Sequence, residues 1–254
     1  MKRILAAAMI VAATFGIAEA KEWTKVRIGT EGAYPPFNYF DSDNQLQGFD
    51  VDIAKALCDE MKVECEFVAQ DWEGIIPALI ANKYDAIIAS MSITPERQEK
   101  VDFTEKYYST PPALIAPSDS ELSATDPGTL EGKTIGAQAS TTHATFLEDV
   151  YKNSTIKLYG TQDEANLDLA SGRLDAVAAD SVVLSEWLKT DDGACCKMVG
   201  PMENDPQYFG DGAGIAVRKG EDDLREMFNK AIAAIRENGT YEKIEAKYFD
   251  FSVY

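Results

Sequence analysis

The sequence predicts an α/β protein built from two lobes, on three observations. Apolar runs of strand length alternate with helical stripes from residue 25 onward. The alternation restarts near residue 133, after a polar, turn-rich excursion over 118–132. The restart echoes the first half: Lys83-Tyr84-Asp85-Ala86-Ile87-Ile88-Ala89-Ser90 matches Arg173-Leu174-Asp175-Ala176-Val177-Ala178-Ala179-Asp180, and Arg27-Ile28-Gly29-Thr30-Glu31 more weakly matches Thr134-Ile135-Gly136-Ala137-Gln138. Each lobe is expected to be a mainly parallel sheet flanked by helices, because strands joined through helices run parallel. Facing lobes would enclose a cleft lined by strand ends.

The chain opens with Met1-Lys2-Arg3, an apolar run over 4–17, and Ala18-Glu19-Ala20. A basic start, a short apolar stretch and a small-x-small site make a secretory leader, cleaved after Ala20. The run is too short to span a bilayer. No cysteine sits at the cleavage point, so no lipid anchor is expected, and no later run reaches spanning length. Residues 25–29 read as a strand, and 30–37 as a loop punctuated by Gly32, Pro35 and Pro36. Glu31 and Tyr34 therefore emerge at a strand's carboxyl end. After the Gln47-Gly48 turn, Ile53, Leu57 and Met61 recur at helical spacing. Residues 63–68 alternate as a strand, Trp72 opens a helix with Ile75, Ile76, Leu79 and Ile80, and 84–88 form a buried strand.

The segment that follows organises the first lobe. Thr94 stands where a helix N-cap belongs, with Pro95 at the first helical position. Ser90 to Ser92 thus lie between a strand end and a helix start, where backbone N–H groups suit an anion. Arg97 in the first turn opposes the helix dipole, a placement that suits a carboxylate needing a bidentate partner. Residues 102–116 are strand-like, broken by Pro111-Pro112. In the second half, strands are expected at 133–137, 156–158 and 174–179, with Asp180 ending the last, and helices after Ser140-Thr141-Thr142, over 163–171 and over 181–188. The tail has a strand over 212–217 entered through glycines, a helix striped by Leu224, Phe228, Ile232 and Ile235 and closed by Gly239, and a last helix from Thr240. The expected organisation is a leader over 1–20, a first lobe over 21–110 and 213–254, and a second lobe over 111–212. The two crossings, near Thr110 and near 209–212, form a hinge.

The formal charge is −19, and loss of the leader makes it one unit more negative. That argues against nucleic acid or an anionic membrane surface as partner. There are four cysteines and one histidine. With no Cys-x-x-Cys, zinc is not expected, and no other metal or cofactor is implied. Cys58 and Cys65 flank a helix end and a strand start, a spacing compatible with a bridge in an exported protein. A bridge between the neighbours Cys195 and Cys196 needs a small strained ring and is not expected. His143, in the first turn of a helix, is read as a solvated position in preference to a ligand contact.

At Tyr34-Pro35-Pro36-Phe37, at Gly48-Phe49-Asp50-Val51-Asp52-Ile53-Ala54-Lys55-Ala56-Leu57-Cys58, at Ser90-Met91-Ser92-Ile93-Thr94-Pro95-Glu96-Arg97, at Gly172-Arg173-Leu174-Asp175-Ala176 and at Gly239-Thr240-Tyr241, the chain resembles the polar amino-acid-binding proteins of bacterial ABC importers, especially the lysine/arginine/ornithine, arginine/ornithine and histidine binders. The resemblance runs from about Val26 to Tyr254. It implies the two-lobed periplasmic-binding-protein fold of type II, a monomer closing on a free basic amino acid and delivering it to a membrane permease. It further implies that Arg97 grips the α-carboxylate with Ser92 and the Thr141 backbone N–H, and that Asp180 takes the α-ammonium with Ser90 assisting. Glu31 would meet the cationic side-chain end, and Tyr34 and Trp72 would sandwich its stem. Met91 and Gln138 complete the expected ligand-binding set. Cys58 and Cys65 match the bridge of the basic amino-acid binders. Glu31 is one methylene longer than the aspartate of some relatives, and Gln138 replaces a leucine of several; both bear on ligand choice.

An opine binder is a neighbouring alternative. An exported dehydratase-like enzyme is a further one, with Glu31 and Asp180 as an acid/base pair. A dipolar ligand accounts for both carboxylates, and no Ser-His-Asp or Cys-His set is present. A sensor module is disfavoured, because the sequence as it stands shows no span or kinase region before Tyr254.

Overall fold

The computed structural model describes residues 22–254, so the leader and its cleavage after Ala20 lie outside the described residues. Thirteen strands and nine α-helices follow among them. The first lobe begins with β1 (Lys25–Thr30), a meander of β2 (Ala33–Tyr34), β3 (Asn38–Phe40) and β4 (Leu46–Gln47), α1 (Phe49–Met61) and β5 (Glu64–Ala69). Next come α2 (Ile75–Ile80), entered through a 3-10 turn at Trp72–Gly74, then β6 (Ala86–Ile87), α3 (Pro95–Gln98) and β7 (Val101–Tyr108). The second lobe holds β8 (Pro112–Pro117), β9 (Thr134–Gln138), α4 (Thr142–Val150), β10 (Thr155–Tyr159), α5 (Gln162–Ala170), β11 (Ala176–Asp180), α6 (Ser181–Trp187), β12 (Cys196–Pro201) and α7 (Pro206–Phe209). The chain then returns through β13 (Ala213–Arg218), α8 (Asp222–Glu237) and α9 (Thr240–Tyr248).

The two main sheets have orders β5-β1-β6-β13-β7 and β10-β9-β11-β8-β12. They are the same design. In each, the second strand in the order, β1 or β9, pairs parallel on both sides, as in Ile28 with Ala86 and Ile135 with Ala176. The remaining two pairings are antiparallel. The sequence echo thus marks equivalent strands, β6 with β11 and β1 with β9. The expectation of mainly parallel sheets is corrected: each sheet is mixed. The cause is the crossing of the chain between lobes. A strand arriving directly from the other lobe, β8 or β13, enters without a helical crossover and so runs against its neighbours. Gly29 and Gly136 occupy matching positions, each where a Cβ would meet a neighbouring side chain, Tyr84 or Leu174, at 2.5 Å.

Each sheet carries apolar clusters on both faces. In the first lobe, α1, α8 and α9 cover one face through Phe49, Leu57, Phe228 and Ile244, while Ile75, Leu79, Tyr84 and Phe103 fill the other. The α8 stripe of Leu224, Phe228, Ile232 and Ile235 is buried as its spacing predicts. Thr94 caps α3, its Oγ1 accepting from the Arg97 N–H at 3.3 Å. The meander, β12 and α7 were not legible in sequence: the meander strands are two or three residues long, and β12 contains Gly200 and ends at Pro201.

Both cysteine pairs are bridged. Cys58–Cys65 ties the end of α1 to β5. The adjacent pair corrects the sequence expectation. Cys195 ends a 3-10 turn and Cys196 starts β12, with Cα atoms 3.7 Å apart. The change from turn to extended backbone sets the two side chains beside each other. With no free cysteine, thiol titration of the denatured, unreduced protein is expected to return none. Two reactive thiols would leave only one bridge standing.

Candidate ligand-binding cleft

The carboxyl ends of β1, β6, β9 and β11 converge on a cleft between the lobes. Its floor is the pair of crossings, through Ser109, Thr110 and Gly212. Open α/β sheets place ligands at such strand ends. Of the residues expected from sequence, Glu31, Tyr34 and Trp72 line the cleft from the first lobe, as do Ser90, Ser92 and Arg97; Gln138, Thr141 and Asp180 face them from the second. Met91 does not. Its side chain is fully buried with Leu79, Tyr84 and Phe103, because it alternates away from Ser90 and Ser92 and is the apolar member of the three.

Several side chains reach across. Gln138 Nε2 donates to Glu31 Oε1 at 2.6 Å and to the Gly160 carbonyl at 3.1 Å. Trp72 Nε1 donates to the Ser140 carbonyl at 3.1 Å, and Arg97 Nη2 reaches the same oxygen at 3.4 Å. The Asp180 N–H lies 3.4 Å from Tyr34 Oη. The lobes are therefore in contact around the cleft.

Three charges stand in it without an opposite charge. Arg97 donates to the Ser92 carbonyl at 3.0 Å and lies 5.3 Å from the Trp72 ring centre, but among the described residues it has no carboxylate in ion-pair range. Burial lowers its pKa to about 10, opposed by the Glu96 charge, so it stays a cation at neutral pH. Asp180 ends β11 and caps α6, accepting from the Val182 N–H at 2.9 Å and from the Thr110 hydroxyl. Burial pushes its carboxyl up to about 6, against those hydrogen bonds and with a push from the Asp50 charge. Burial likewise pushes Glu31 up to about 7; the Gln138 amide opposes this and the Asp71 charge adds to it. Neither carboxylate has a cationic partner among the described residues. Opposite Arg97, Thr141 caps α4, accepting from the Ala144 N–H at 3.1 Å, so the start of a nine-residue helix faces the cleft.

His143 corrects its sequence reading. It lines the cleft, its ring 5.4 Å from that of Phe209, and burial with the nearby Arg97 charge lowers its pKa to about 3. The first turn of α4 points inward because the helix start closes the second lobe's side of the cleft. Sequence reasoning also passed over Thr110, Asn204 and Phe209, which line it from the crossings. Their only signal was proximity to Pro111, Pro206 and the glycines at 210 and 212. No cluster of three or more metal-ligating side chains occurs among the described residues, and no helix there is long and apolar enough to cross a membrane.

A model of the bacterial extracellular solute-binding proteins, family 3, matches residues 26–251. The chain is 50% identical over 233 residues to an L-arginine-binding protein of Pseudomonas aeruginosa, covering 90% of this chain and 89% of that protein. It is 41% identical over 251 residues to the ABC transporter arginine-binding protein 1 of Escherichia coli, covering 98% and 99% respectively. Among solved structures it is similar to an ancestral arginine-binding protein bound to arginine, with a TM-score of 0.83 and 38% identity over 89% of this chain and 98% of that one.

Proposed function

We propose that this chain, which belongs to family 3 of the bacterial extracellular solute-binding proteins, captures a free basic amino acid between its lobes and hands it to the permease of an ABC importer. The observation that carries the reading is the cleft's charge set. Arg97 calls for a carboxylate, and Asp180 for an ammonium. Glu31 calls for a second cation, since a buried carboxylate without a partner is costly. Arginine, ornithine and lysine supply all three charges in one molecule, and histidine is the runner-up. Trp72 and Tyr34 present aromatic faces that suit a guanidinium or a run of methylenes. The hinge allows the lobes to open for entry and close on the ligand. In this reading the chain acts as a monomer in the periplasm once the leader over 1–20 is removed, and it is a binder, not an enzyme. Its two cleft carboxylates are matched by ligand charges, and His143 is held neutral away from an acid/base role. A thermal-shift and calorimetric screen over all free amino acids and opines tests it. Arginine, ornithine or lysine should give the largest shift; a dominant response to glutamate would overturn the reading.

The pH dependence follows from the same carboxyls. In the ligand-free fold Glu31 titrates near 7 and Asp180 near 6, both above the unfolded values of about 4. Their protonated forms favour the empty fold below about pH 4, and that contribution is lost as pH rises through 6 to 7. A cationic ligand favours the ionised forms. Arginine binding at pH 6 should therefore release protons, and affinity should rise from pH 5 to pH 7.5. Calorimetry in two buffers of different ionisation enthalpy measures the release; none at pH 6 would remove Glu31 and Asp180 from the site.

A further inference from the structure

Behind the cleft wall lies a carboxylate that the charge set does not include. Asp50, at the start of α1, is fully buried. Three neutral donors converge on it: Tyr107 Oη at 2.7 Å, Asn38 Nδ2 at 2.9 Å and Ser90 Oγ at 2.9 Å. No cation pairs with it among the described residues. Two of the three donors reach segments that form the cleft. Asn38 Oδ1 accepts from the N–H of Gly32, next to Glu31, at 2.8 Å. Ser90 itself lines the cleft at a left-handed φ of 54°, and its N–H donates to Tyr107 Oη at 3.1 Å. A left-handed serine is an uncommon backbone state that surrounding bonds must hold.

The direction of the Ser90–Asp50 bond decides what Ser90 can do. An ionised carboxylate only accepts, so the Ser90 hydroxyl hydrogen points into the core. What remains for the cleft is oxygen lone pairs. A serine fixed this way accepts from an ammonium and has no hydrogen to offer a ligand carboxylate. Hydrogen bonds in such a chain polarise one another, so the buried charge strengthens the acceptor in front of it.

We propose that Asp50 is a positioning residue for ligand recognition: through Ser90 it makes an acceptor-only contact for the ligand's α-ammonium, beside the direct contact from Asp180. The ammonium then meets one carboxylate directly and a second through a hydroxyl. This rests on the reading of the cleft as an amino-acid site, and what it adds is the buried carboxylate behind Ser90 that holds its hydroxyl as an acceptor.

The test compares L-arginine with 5-guanidinopentanoate, its analogue lacking the α-amino group, by calorimetry or competition on the wild type, Asp50→Asn and Ser90→Ala. L-glutamine and its des-amino analogue are run in parallel. Asp50→Asn should weaken the amino acids by about tenfold or more while changing the des-amino analogues little, because only the former use the contact. Ser90→Ala, which leaves Asp50 and Tyr107 in place, should show the same selective loss, and it carries the test if Asp50→Asn does not fold. Equal weakening of each amino acid and its analogue, or none, would overturn the proposal and leave Asp50 a scaffold residue. A wild type that prefers glutamine would instead overturn the basic-ligand reading, and the glutamine pair would still decide the role of Asp50.

Discussion

Arg97→Ala is expected to abolish binding of every α-amino acid, whatever its side chain. The variant leaves a ligand carboxylate to enter the cleft with only Ser92 and the start of α4 to meet it. Removing one partner of a buried pair costs about 3–5 kcal/mol, a loss of roughly a hundredfold to several thousandfold. The cost to the empty fold should be small. Arg97 is a half-buried cation whose pKa is lowered by desolvation, and its side-chain hydrogen bonds within the protein are to two carbonyls, those of Ser92 and Ser140. Dropping it removes a desolvation penalty along with those bonds, so the ligand-free variant should melt close to wild type. Binding residues commonly carry such a stability cost. Arg97→Lys keeps the charge but loses the planar fork, and should bind at an intermediate level. Calorimetry with arginine, lysine and glutamine, alongside a melt of each empty protein, checks both halves. Binding by Arg97→Ala within tenfold of wild type would sink the carboxylate assignment.

Glu31→Gln should separate ligands by side-chain charge. The carboxylate is raised to about 7 by burial, so an incoming cation gains by holding it ionised. The amide cannot provide that, and arginine, lysine and ornithine should each weaken by more than tenfold, above about 1.4 kcal/mol. Glutamine, whose side chain is neutral, should bind unchanged or better. The proton release on arginine binding near pH 7 should fall as well, leaving the part due to Asp180. Should glutamine lose as much as arginine, Glu31 would be acting on the closed cleft through Gln138, not on the ligand's side chain.

The sequence by itself determined the layered α/β character, the order of most elements and the identity of the chemistry-bearing side chains. These are local properties. A strand-length apolar run, a Thr-Pro helix start and a striped helix such as α8 are set by side-chain period and backbone preference within a few residues. The echo between 83–90 and 173–180 was legible for the same reason, since equivalent strands of two equally wired sheets face equal packing demands. Nine of the ten expected ligand residues line the cleft because they sit at strand ends or helix starts, positions that local pattern marks.

Tertiary structure alone decided the rest. Strand direction at β8 and β13 depends on which lobe the chain has just left, and no short window records that. Met91 and Ser90 are neighbours, yet one faces core and the other cleft, an outcome of the turn between β6 and α3. His143 reads as an ordinary first-turn residue until Phe209, 66 positions away in the sequence, closes over it. Most of all, the charge state of the cleft is a property of burial. The sequence places Glu31, Asp180 and Arg97 at strand ends and a helix start, but only the folded lobes bury them and so move the pKa of the carboxyls up and that of the guanidinium down.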